Sequence, residues 1–133
     1  GQTFVRPGRM ILDSNIVIYS IQPQFKKLKA YLGANAAVIA VSSVSKVEVL
    51  GYHQLKPNDK TDFEDFFAKT ARYPVTQAIL DEATRLRQHR KMSLGDALIA
   101  ATCLLHKEPL LTNNEADFQH IQNLAVIPMS SVI

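Results

Sequence analysis

The chain has 133 residues, 47% of them apolar and 20% charged. That fits one domain burying roughly two thirds of the surface its unfolded chain exposes, and it excludes a disordered or solvating segment. Arg6 and Arg9 supply two of the three net positive charges, so overall charge does not argue for a polyanionic partner and local clusters must. The single cysteine, Cys103, excludes an internal disulfide and fits a reducing, cytoplasmic setting; no apolar run approaches the 18 or so residues that suggest a membrane span.

The opening residues 1–9, GQTFVRPGR, carry no acid. Met10 is expected to be the natural start, with residues 1–9 an appended remnant or a short basic arm and residues 10–133 a single domain. MILD at Met10–Asp13 and AAVIAVSS, with Val38, Ile39 and Val41, read as short buried strands. Between them FKKLKAYL puts Phe25, Leu28, Tyr31 and Leu32 on one side of a helix and Lys26, Lys27 and Lys29 on the other. VSKVEVLGY reads as a helix stopped at Gly51, and a further helix from about Asp59 to Lys69 aligns Phe63, Phe66 and Phe67. A strand is expected around Tyr73–Val75, followed by a helix in TQAILDEATRLRQHR with Ile79, Ala83 and Leu86 inward. LGDALIAATCLLH gives the next helix, with Leu98, Ile99, Thr102, Cys103 and Leu105 at helical spacing; PLLT and AVIPM give two closing strands. Strands alternating with helices predict a three-layer α/β/α sandwich around a mostly parallel sheet of about five strands.

In such sheets ligands bind outside the carboxyl ends of the strands. The residues expected there are acidic: Asp13 ends the first strand, Glu48 lies in the helix after the second, Asp96 opens the LGDALIAATCLLH helix, and Asn114 and Asp117 follow PLLT. Each acid alone is explained by helix capping, since SKVE, SLGD and NEAD all have capping-box spacing. Neutral caps would serve as well, however, and two carboxylates about 4 Å apart repel by roughly 4 kcal/mol at an effective dielectric near 20. Several meeting at one edge need protons or a cation. Oxygen donors point to Mg²⁺ or Mn²⁺, ions suited to phosphodiester hydrolysis. The histidines His53, His89, His106 and His120 are scattered and read as surface residues. The loop motifs of nucleotide-triphosphate enzymes, dinucleotide-binding folds and serine hydrolases are absent from the sequence.

With those residues assembled, the chain resembles the PIN-domain family, most closely the VapC-type toxins of toxin–antitoxin pairs. ILDSNIVIY, VSSVSKVEVLGY, LGDALIAATCLLH and LLTNNEADF look like the family's four ordered motifs. Many relatives have threonine where Ser14 stands, alanine where Gly95 stands and an acid where Asn114 stands. The resemblance implies a PIN-like fold and a Mg²⁺- or Mn²⁺-dependent endoribonuclease that blocks translation and is neutralised by a VapB-like antitoxin. Asp13, Glu48, Asp96 and Asp117 would bind metal and orient the attacking hydroxide. Ser14 and Asn15 would support the first acid or contact phosphate, and Asn114 would be auxiliary. The resemblance also implies a homodimer with an antitoxin tail in a groove of the early helices, which the Phe63, Phe66 and Phe67 stripe could help line.

The basic clusters FKKLK and RLRQHRK offer Lys26, Lys27, Arg85 and Arg87 as RNA contacts, with Arg90 and Lys91 beside them. A solvated helix face explains them equally. Two other readings stay open: a catalytically silent PIN-like module that binds RNA or protein, and, more distantly, a phosphotransfer receiver or phosphatase. The last is disfavoured because Asp13 lacks a paired acid on its own strand end.

Overall fold

The computed structural model describes residues 8–133, so the expectation for residues 1–9 falls mostly outside it. Five strands form one sheet: β1 (Met10–Leu12), β2 (Ile39–Ser42), β3 (Ala71–Tyr73), β4 (Leu110–Thr112) and β5 (Val126–Pro128). Their order is β3-β2-β1-β4-β5 and every pairing is parallel, with Ile11 opposite both Ala40 and Leu110. The helices are α1 (Ser14–Ser20), α2 (Lys26–Ala34), α3 (Ser43–Leu50), α4 (Pro57–Lys69), α5 (Gln77–His89) and α6 (Leu94–His106). Among the described residues no helix is long and apolar enough to cross a membrane.

Every residue of β1, β2 and β4 is buried, as expected for parallel strands covered on both faces. Side-chain alternation divides the core in two. Leu12 and Val41 pack with Ile16, Leu28, Phe63 and Phe67 of α1, α2 and α4 on one face. Ile11 and Ala40 pack with Ile79 and Ala83 of α5 and with Ala97, Ala100 and Ala101 of α6 on the other. The alanines leave α6 little side-chain bulk toward the sheet.

Three expectations are adjusted. The third strand is Ala71–Tyr73 and not Tyr73–Val75: Pro74 has no N–H to give a ladder, whereas Ala71, Arg72 and Tyr73 pair with Ala40, Val41 and Ser42. α4 starts at Pro57, two residues before Asp59, because proline suits the first turn of a helix. Leu105 is exposed, and α6 instead buries Ala97, Ile99, Ala100, Ala101, Thr102 and Cys103.

The strand order reverses between β1 and β4, the crevice where a doubly wound sheet accepts ligands. Asp13 and Thr112 stand at the carboxyl ends of those two strands.

Candidate active site

Asp13 is both the residue after β1 and the N-cap of α1. Its carboxylate is 5% exposed and held on both sides: Oδ1 accepts from Ser14 N–H at 2.8 Å, and Oδ2 accepts from Thr112 Oγ1 at 2.8 Å. The second bond crosses the β1–β4 crevice. Burial pushes Asp13 above the usual carboxylate range; the Thr112 and Ser14 hydrogen bonds oppose this, and the negative charges of Glu48 and Asp117 add to it.

Glu48 lies in the second turn of α3. Its Oε1 accepts from Ser14 Oγ at 2.8 Å, so the Ser14 amide serves the first acid and the Ser14 hydroxyl serves the second. On its other side the Glu48 carboxylate lies against Gly95 of α6.

Asp96 enters from the first turn of α6, whose N-cap Ser93 accepts from Asp96 N–H at 3.1 Å. The capping role expected of SLGD is therefore present. It does not exhaust what Asp96 does, because burial first, then the charges of Asp13 and Asp117, push its carboxyl up to about 6; Ser93 opposes this and Glu48 adds to it. Asp117 is exposed in the short turn Glu115–Asp117 after β4, and its charge reaches both Asp13 and Asp96. Thus the four expected acids lie within one another's field, and no cation appears among the groups that shift Asp13 and Asp96.

The four remain apart: among the described residues no three His, Cys, Asp or Glu side chains converge into a ready metal-binding group. The donor set nonetheless fits a hard cation, since it offers carboxylate oxygens alone and Mg²⁺ retains waters in such sites.

The auxiliary residues divide. Asn114 is exposed, with its N–H donating to Thr112 Oγ1 at 3.0 Å and its carbonyl accepting from Asp117 N–H at 3.0 Å, so its backbone shapes the last acidic turn. Asn15 is half-buried in α1. Lys26 and Lys27 are exposed on α2 and make no ion pair among the described residues. Arg87 Nε donates to the Met92 carbonyl at 3.2 Å, near the start of α6. Arg85 is paired with Glu82 and lies in a cleft beside Cys103 and Lys107, at the opposite end of α6 from Asp96.

Three participants were not singled out from sequence. Thr112 stood in a quoted motif, but its bond to Asp13 spans 99 residues and has no local signal. Ser45 was read as a cap, whereas α3 is capped by Ser42 and Ser45 is buried. His120, expected at the surface, is half-buried, with Nδ1 buried and unpartnered among the described residues. Burial and the charge of Arg90 hold its pKa down, opposed by Asp117, so His120 lies within the field of one of the four acids.

Comparison with known proteins agrees with this architecture. Residues 10–124 match the family model for the PIN domain. Among solved structures, the chain is similar to one from a toxin–antitoxin complex of Klebsiella pneumoniae, at 28% identity and TM-score 0.74 over 89% of this chain and 95% of that one. It shares its fold with chains of VapBC2 from Rickettsia felis bound to a promoter DNA fragment, at 22% identity and TM-score 0.77 over 90% and 97%. The same holds for DNA-bound VapBC from Salmonella typhimurium, at 15% identity and TM-score 0.78 over 92% and 98%. No curated protein matches the chain.

Proposed function

We propose that this chain, which belongs to the PIN-domain family, is a VapC-type toxin: a Mg²⁺- or Mn²⁺-dependent endoribonuclease that inhibits translation and is neutralised by a VapB-like antitoxin. The observation that carries the reading is that Asp13, Glu48, Asp96 and Asp117, from four separate strand-to-helix junctions, lie within one another's field with no cationic side chain among the groups that shift Asp13 and Asp96. The similarity to a chain of a toxin–antitoxin complex supports the antitoxin pairing.

Asp13, Glu48, Asp96 and Asp117 would hold the cation, which supplies Lewis acidity and a more acidic bound water. The chain's own residues do the positioning. Thr112 and the Ser14 amide fix both Asp13 oxygens, and the Ser14 hydroxyl fixes one oxygen of Glu48. The Ser93 hydroxyl caps the turn that presents Asp96 by accepting from its N–H. His120, which feels the charges of both Arg90 and Asp117, would be a phosphate contact beside the acids, with Arg90 in support.

A groove of about 520 Å³ between α1, α3 and α4 is lined by Ile18, Val49, Leu55 and Phe63, with Glu48 also on its wall. It suits an apolar antitoxin helix, as helix-in-groove recognition requires. Val47 and Leu94 are 71% and 59% exposed on adjoining helices, which suits a homodimer.

The test is cleavage of a structured RNA pool with Mg²⁺, Mn²⁺ or EDTA. Cleavage that needs the metal and falls more than about 100-fold in Asp96→Asn, the scale for losing one charge-stabilising group, is expected. Absence of cutting under every metal would overturn the nuclease reading and favour the silent binding module.

A further inference from the structure

Two features around Glu48 have no structural reason to be what they are. The first is Ser45, a fully buried hydroxyl on α3. It does not cap its helix, because Ser42 Oγ already accepts from Val44 N–H at 3.1 Å. The second is Gly95, in the first turn of α6. No glycine among the described residues has a positive φ, so Gly95 is not there for backbone freedom, and glycine is disfavoured against alanine inside a helix.

Both contact the same side chain or its partner. Ser14 Oγ lies 2.9 Å from Ser45 Oγ and 2.8 Å from Glu48 Oε1. A hydroxyl has one proton to donate, and a carboxylate can only accept. The Ser14 proton therefore goes to Glu48, and Ser45 donates to Ser14. The result is a directed relay, Ser45 to Ser14 to Glu48, in which the buried end orients the middle hydroxyl. On the opposite side, a Cβ at Gly95 would stand 2.6 Å from Glu48 Oε2 and 3.0 Å from Cδ. Those are distances that Cβ atoms do not tolerate. A methyl there, which many relatives carry, would require the Glu48 carboxylate to shift from the position it holds here against Ser14.

We propose that Ser45 and Gly95 are positioning residues that together fix the Glu48 carboxylate for cation binding, one through the Ser14 hydroxyl and the other by leaving room beside the α6 N-terminus. This rests on the metal-site reading above. Residues that orient a ligand from behind commonly change metal affinity 10- to 100-fold.

The test is Mn²⁺ binding by calorimetry on the full chain, alongside thermal melting. Ser45→Ala is expected to weaken Mn²⁺ binding by about 10-fold. Gly95→Ala is expected to weaken it as well, with the double variant no worse than the weaker single. In a Glu48→Gln background neither change has any further effect. Gly95→Ala favours the helix and carries the test if Ser45→Ala fails to fold. Wild-type protein that binds no Mn²⁺ would overturn the metal-site reading and this inference together. Mn²⁺ binding unchanged in both variants, or the same loss repeated in the Glu48→Gln background, would overturn the positioning roles alone.

Discussion

Acids on the outer faces of the helices and acids at the strand ends are treated in opposite ways by this chain. On α4 and α5 each of several acids has a cation one turn away: Glu64 with Lys60 at 3.8 Å, Asp65 with Lys69 at 2.9 Å, and Glu82 with Arg85. Such exposed pairs are neutralised locally and contribute little to stability. Asp13, Glu48, Asp96 and Asp117 come from four distant segments and bear on one another electrostatically, with Ser14 and Thr112 donating to Asp13 and Ser14 donating to Glu48. The contrast teaches that the strand-end acids are not incidental surface charge. Asp13 and Glu48 are fixed in place by neutral donors, which orient a carboxylate without cancelling it.

If neutral donors matter because they orient the acids, removing one should cost activity far more than removing a surface pair. Among the donors the largest effect is expected for Thr112→Val, which deletes the donor to Asp13 Oδ2 while keeping the shape. Metal-dependent RNA cleavage should fall about 10- to 100-fold, measured at saturating Mn²⁺. An unchanged rate would mean that the Ser14 amide alone positions Asp13.

The two arginines sharpen the comparison from the cationic side. The Arg90 charge bears on His120, which also feels Asp117, whereas Arg85 is engaged by Glu82 at the other end of α6. Arg90→Ala should reduce the slope of log affinity against log salt by about 1 for RNA binding, and Arg85→Ala should leave it unchanged. Equal effects would place both on the RNA path. The smallest effect is expected at the surface: Glu64→Gln should shift unfolding free energy by no more than about 0.5 kcal/mol in denaturant melts and leave cleavage intact.

The layout of the site was legible in the sequence because alternation of strands and helices places each strand-to-helix junction on one edge, and Asp13, Glu48, Asp96 and Asp117 all occupy such junctions. What lay behind the acids was not legible. The Thr112–Asp13 and Ser14–Ser45 bonds join residues 99 and 31 positions apart, and serine reads as a cap wherever it precedes a helix. β3 was displaced because ARY, an edge strand only partly buried, lacks the apolar run that marks β1, β2 and β4. Arg85 and Arg87 look alike in a basic cluster. They differ only once helix geometry turns one toward Glu82 and the other toward Met92.

The central claim is that the strand-end acids are held together at an electrostatic cost that a cation relieves. Asp96 has its carboxyl raised to about 6 in the folded chain, from 3.8. The folded state therefore prefers the protonated acid. The cost is absent below about pH 4, develops as pH rises from there through about 6, and is complete above that. Thermal melting of wild type and Asp96→Asn in EDTA, at pH 7.5 and pH 4, tests this directly. The expected result is a higher melting temperature for Asp96→Asn at pH 7.5, an advantage that disappears at pH 4. A variant that melts lower than wild type at pH 7.5 would contradict it, and would leave Asp96 as a stabilising residue of the α6 N-terminus.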